Sequence, residues 1–304
     1  MRIFSLLILS LMLWGFGAAS QAQDLDVTEI VSAHEAFAQS ADKQTRAALA
    51  EALDRYQGDP TVESVNAHLA LVMSDTMASE YVDMRSSALS AAAHLEPVAD
   101  ILPRQYAEAK YVAAVALFNH RQKSEAMLEM AHVEGFVRQQ IGEDGELPEW
   151  AEDLKWKADA WGLAMKAYYL SERDKHPSDD EIDAILKSYN VDEGALNSRA
   201  MLTEDEAGLP HCPGRMIQRP KMRYPSGKAM RGMFGAVILG LEFDAEGNVI
   251  NPKVLASVPI EEFDEKSLQV VGQWRFKPDE PDEVGVTCRL ERSNVVQPLT
   301  FQIR

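Results

Sequence analysis

From Asp24 to about Asn190 the apolar residues recur at intervals of three and four, as in Val27, Ile30, Val31, Phe37 and Ala38, and this period predicts helices. Pro60, Pro103 and Pro148 each open such a segment, since proline suits a first helical turn. Ser178-Asp179-Asp180-Glu181 has the form of a capping box ahead of Ile182, Ile185 and Leu186. Seven or eight helices of roughly 12 to 25 residues follow from these marks, and antiparallel hairpins packed side by side are their natural arrangement. After His211 the period falls to two. Val237, Leu239, Leu241 and Phe243 alternate with Ile238, Gly240 and Glu242, which predicts a half-buried strand. Asp244 to Asn248 reads as a turn, and Val249 to Val258 as the returning strand of a hairpin, with Pro252 confined to an edge or a bulge. A helix is expected after Pro259, with Glu261, Glu262, Asp264 and Glu265 in its first turn and Phe263, Ser267, Val270, Val271 and Trp274 on one face. Arg275 and Lys277 would close it and Pro278 would stop it, before a last extended region from Val284 to Ile303.

Charge divides the chain at the same place. The 304 residues carry a net charge of -18, but residues 1–210 hold 17 basic and 36 acidic side chains whereas 211–304 hold 13 and 12. So strong an acidity argues against a nucleic-acid partner held by general basic attraction. Between His211 and Leu241 lie Arg215, Arg219, Lys221, Arg223, Lys228 and Arg231 without any acid. This segment is either a solvated basic face or a surface that docks on the acidic helices or an acidic partner.

Met1-Arg2, the apolar run from Ile3 to Phe16, and small residues at Ser20 and Ala22 have the form of a secretory signal peptide cleaved between Ala22 and Gln23. The run is about 14 residues, short of the roughly 20 that span a bilayer. The alternative keeps residues 1–22 as an inner-membrane anchor facing the periplasm. The expected organisation is a signal peptide at 1–22, a helical domain at 23–190, a polar linker at 191–210 and a second domain at 211–304.

Candidate chemistry is sparse. No His-Glu-x-x-His pattern, Gly-rich phosphate loop or Ser-x-x-Lys motif occurs, so no enzyme, metal, cofactor or small-molecule substrate is expected. The aromatic group of Trp150, Trp156, Trp161, Tyr168 and Tyr169 reads as core. Cys212 and Cys288 stand near the two ends of the second domain. An oxidised pair is favoured and would be worth about 4 kcal/mol in loop closure. A redox couple lacks Cys-x-x-Cys spacing, and two free thiols stay open.

Several marks of the last third resemble the C-terminal domain of the TonB family. They are Tyr224-Pro225, Gly235-Ala236-Val237, Phe243-Asp244, Gly247-Asn248-Val249, Val254-Leu255-Ala256-Ser257, Phe263-Asp264, Trp274-Arg275-Phe276-Lys277-Pro278 and Pro298-Leu299-Thr300-Phe301. The region 103–136 more faintly resembles a tetratricopeptide hairpin, with Tyr111, Phe118 and Ala131 at packing positions. The fold implied is an all-α helical-hairpin array followed by a small α+β domain with an antiparallel sheet. The TonB resemblance implies a periplasmic protein whose partner is an envelope protein or peptide, such as an outer-membrane receptor. By that resemblance the last strand, with Val295, Val296, Leu299, Phe301 and Ile303, is the edge to which an added strand would bind. With residues 1–22 retained as an anchor, the resemblance implies instead an energy transducer for outer-membrane transport.

Overall fold

The computed structural model describes residues 21–142, 145–171, 177–189, 209–222, 224–225, 227–228, 233–280, 285 and 287–302, with side chains from 27 onward in the first helix and up to 168 in the seventh. The expected signal peptide up to Ser20, most of the linker, and Ile303 lie outside these residues. The chain forms two compact units, 1–67 and 68–304.

In the first unit α1 (Gln21–Gln39) packs on α2 (Lys43–Arg55) through Ile30, Phe37, Leu49 and Leu53. The α2 start is fixed by Asp42, whose Oδ1 accepts from the backbone amides of Gln44 (2.8 Å) and Thr45 (3.0 Å). Those bonds, led by Thr45, hold its carboxyl below the ordinary range. Helix α3 (Val62–Ala78) begins in this unit and runs on into the second. Pro60 stands just before it rather than in its first turn, because Thr61 takes the capping position and accepts from the Ser64 amide.

In the second unit α4 (Tyr81–Leu95), α5 (Pro103–Asn119), α6 (Lys123–Arg138) and α7 (Glu149–Ser171) pack as neighbours in chain order, and α8 (Asp179–Ser188) returns to α6. Small residues allow the close approach: Ala88, Ala91, Ala113, Ala114 and Ala116 are fully buried. Pro103 is the first residue of α5, and Ser178 and Glu181 form the expected reciprocal cap of α8. Tyr111, Phe118 and Met130 join Leu154, Met165 and Trp150 in one core. Stacking in chain order agrees with helical hairpins; the tetratricopeptide likeness is not confirmed.

Among the described residues the last third has five strands, β1 (Gly214–Gln218), β2 (Gly235–Phe243), β3 (Val249–Val258), β4 (Arg275–Pro278) and β5 (Arg292–Phe301), with α9 (Asp264–Val271) between β3 and β4. One antiparallel sheet has the order β3-β2-β5, and β1 pairs with β4 in a second. Pro252 lies where the β2–β3 register slips between Lys253 and Ile250, the bulge that its missing donor requires.

Three expectations change. Strand β2 is buried on both faces rather than one, because Ile238 and Gly240 are as apolar as their neighbours. Glu261 and Glu262 precede α9 instead of entering its first turn, since Glu261 has a left-handed φ of 62°. Residues 275–278 form a strand rather than the end of a helix: α9 stops at Val271, and Phe276 turns inward between Arg275 and Lys277.

Helix α7 covers the second face of the main sheet. Its Ala160 and Ala164 are fully buried against Ala236, Ile238 and Val258, flanked by Trp156, Trp161 and Leu163. Phe234, at the start of β2, inserts its ring edge-on toward Phe118 (5.7 Å) and Tyr168 (4.8 Å). The contact between this region and α7 is apolar. Of the basic residues between His211 and Leu241, Lys228 pairs with Glu262, the Arg219 guanidinium lies 4.6 Å from the Trp274 ring centre, Arg215 is exposed, and Arg223 and Arg231 lie outside the described residues.

Candidate peptide-binding sheet edge

Gly247 turns the β2–β3 hairpin and fixes it to the rest of the domain. Its φ is 78°, and a β-carbon there would collide with the Phe276 carbonyl. The Phe276 amide donates to the Gly247 carbonyl (2.8 Å), so the hairpin turn is pinned onto β4. Asp244 closes the turn by accepting from the side chain and the backbone amide of Asn248, which lowers its pKa.

The remaining marked residues build the core of the first sheet face. The Tyr224 hydroxyl donates to the Met233 carbonyl, while its ring meets Phe263 and Phe301 edge-on, and burial raises its pKa. Phe263 and Phe301 stack with ring centres 4.1 Å apart. Trp274 and Phe276 are buried, the latter beneath the Arg292 guanidinium at 4.2 Å. The Pro225 carbonyl accepts from Lys228, and Pro278 pairs with Gly214 across β1–β4. Tyr224, Pro225, Gly247, Trp274, Phe276 and Pro278 are thus the framework of the domain.

Residues 220–295 match the family model for the Gram-negative bacterial TonB protein C-terminal. This stretch is a TonB C-terminal domain. The TonB protein of Vibrio cholerae is 33% identical over 78 residues, a match that covers 26% of this chain and 32% of the relative. The chain therefore spans about a third of the length of the relative it matches, and the likeness supports a TonB-type protein at the level of this domain.

Within the TonB C-terminal domain, β5 is hydrogen-bonded to β2 from Gly235↔Phe301 to Phe243↔Arg292, and among the described residues no strand pairs with its other side. The predicted edge residues Val295 and Leu299 pack toward the aromatic core, where Phe301 is wholly buried, while Val296 faces the α7 side. The apolar side chains of β5 thus turn to the two faces of the sheet, Ser293, Asn294, Pro298 and Thr300 are exposed, and along its outer edge the backbone is paired by no described strand. The other edge, β3, has α9 packed against it as well as α7.

Cys212 and Cys288 form a disulfide with Cα atoms 4.9 Å apart, and there is no free cysteine. It ties the start of the domain to the segment leading into β5. The Cys212 amide donates to the Arg289 carbonyl (2.7 Å) and the Arg289 amide to the Pro210 carbonyl (2.9 Å), which draws the end of the expected linker into the same knot. A cleft of about 420 Å³ opens beside this knot, lined by His211, Glu242, Asp244, Arg289, Glu291 and Arg292. Its lining carries charges of both signs together with Ser293. Among the described residues no group of three His, Cys, Asp or Glu is placed to hold a metal, and no helix is long and apolar enough to cross a membrane. The expected cleavage point between Ala22 and Gln23 falls in the first turn of α1.

Sequence reasoning did not find β1, β4 or the sheet-covering role of α7. The signal for the last was present in Ala160 and Ala164, which share a helical face with Trp156 and Leu163, but a helix core would look the same.

Proposed function

We propose that the protein is an exported, periplasmic binding protein without enzymatic activity. Its TonB C-terminal domain takes up an extended segment of an envelope or outer-membrane partner by strand addition along β5, from Val295 through Phe301. The helical region serves as a scaffold for a second protein contact. The observation that carries this reading is the state of β5, whose apolar side chains Val295, Val296, Leu299 and Phe301 pack on the two faces of the sheet while one backbone edge is unpaired by any described strand. Strand addition needs that combination, because the affinity comes from main-chain hydrogen bonds. Cleavage after Ala22 and an oxidised Cys212–Cys288 pair are consistent with an oxidising compartment.

Photo-crosslinking residues placed in living cells at exposed positions of the two edges, Thr300 on β5 and Ile250 on β3, test the proposal. The expected result is a discrete partner adduct from position 300 that disappears when Val296→Pro removes an edge donor, since Val296 shares the alternation of Pro298, whose nitrogen makes no ladder bond. Adducts from position 250 alone would contradict it. A mature N-terminus at Gln23 supports the exported form, and an intact N-terminus supports the anchored transducer.

A further inference from the structure

Helices α3 and α4 are joined by the two-residue turn Ser79-Glu80, with Ser79 in the left-handed region at φ 57°. The rings of His68 and His94, one from each helix, lie tilted with centres 4.7 Å apart and mark the inner side of the hairpin. Amphipathic helices normally turn charge outward. Here the outer positions are apolar: Met73 is 62% exposed, Met77 81%, Val82 57%, Tyr81 43% and Leu89 39%. Met73 and Met77 are one turn apart on α3, and Val82 and Leu89 two turns apart on α4, so each pair shares a face. Met77, Tyr81 and Val82 carry the apolar surface around the turn.

Charge near this surface has one sign. Between His68 and Leu102 the acids outside the core are Glu80, Asp83, Glu96 and Asp100, Asp75 being buried, and the single Lys or Arg is Arg85. Arg85 is engaged inward, donating to Gln122 and lying 3.3 Å from the His120 ring nitrogen. An apolar stripe with an acidic rim disfavours a second copy of this acidic chain, through like-charge repulsion, and an anionic lipid surface, which attracts basic faces. Exposed methionines adapt to varied side chains, and apolar stripes on helices take amphipathic helices.

We propose that the outer face of the α3–α4 hairpin, centred on Met73, Met77, Tyr81, Val82 and Leu89, is a docking site for a basic amphipathic helix of a protein partner. The probe is an 18-residue helical peptide with leucine on one face and lysine on the other, titrated into the full chain labelled with ¹³C at the methionine methyls. The expected result is saturable one-to-one binding that moves the Met73 and Met77 signals and leaves Met216, in β1, in place. Met77→Asp, at a position open to solvent, should weaken binding about tenfold or more, and Glu80→Lys with Asp83→Lys should weaken it further in low salt. Four outcomes would overturn the proposal. They are no binding, binding indifferent to Met77→Asp, equal binding of the peptide with glutamate in place of lysine, and a Met77-dependent dimer or vesicle association in its place.

Discussion

One face of the β3-β2-β5 sheet is aromatic, and the other is built from small aliphatic side chains. On the first, Phe243, Phe263, Trp274, Phe276 and Phe301 surround Val237, Leu239 and Leu241. On the second, Ala236, Ile238 and Val258 meet Ala160 and Ala164 of α7. The aromatic face holds the residues that mark the TonB C-terminal domain, and every element on it comes from within that domain. The aliphatic face is closed by a helix from outside it. Large rings fill a wide gap between a sheet and the strands and turns around it, whereas alanines on both sides let a helix lie flat on a sheet. The chain thus treats one face as the fold and the other as a joint.

Substitutions on the two faces should separate these roles. Phe301→Ala removes a stacked, fully buried ring and should cost about 3–5 kcal/mol, read as a lower denaturation midpoint with loss of the aromatic near-ultraviolet signal. Ala164→Leu drives a larger side chain into the joint and should cost about 1–3 kcal/mol. In that variant the aromatic signal of the C-terminal domain should persist while tryptophan fluorescence from Trp156 and Trp161 shifts toward the exposed range. Equal loss of both signals in the two variants would show that the faces form one cooperative core.

A smaller effect should come from the helices alone. Burial, with a lesser contribution from the neighbouring His94, pushes His68 down to about 3, and burial also lowers His94. The folded state holds the neutral ring, so this stability is present above the ordinary histidine pKa and is lost as pH falls below it. Between pH 7.5 and 5.5 the free energy of unfolding should drop by about 1 kcal/mol, and His68→Gln should flatten that slope. A slope unchanged by the substitution would place the acid sensitivity elsewhere.

Much of the domain was legible in the residues because its marks are stereochemical. Gly247 announces a positive φ, Pro252 a bulge, and Ser178 with Glu181 a helix start, and each names its own backbone geometry. Strands β1 and β4 were not legible. All of β1 is exposed, and β4 is four residues long and follows directly on α9, so neither shows enough alternation. The burial of both faces of β2 was hidden for another reason. Val237-Ile238-Leu239-Gly240-Leu241 is apolar at every position, and only the presence of α7 tells that Ile238 faces protein. The candidate edge is least legible of all, since strand addition is a property of unpaired backbone, and the side chains of β5 record only what lies on either side of the sheet.

Hydrogen exchange of the full chain alone, resolved to single amides, separates the covered strand from the open edge. The amides of β2 should exchange only on global unfolding, because both its neighbours and both its faces are covered, and alternate amides of β5 should exchange orders of magnitude faster from an open edge. Fast exchange throughout 235–243 would contradict the α7 joint, and uniform protection of 292–301 at the level of β2 would contradict the free edge on which the proposed binding rests.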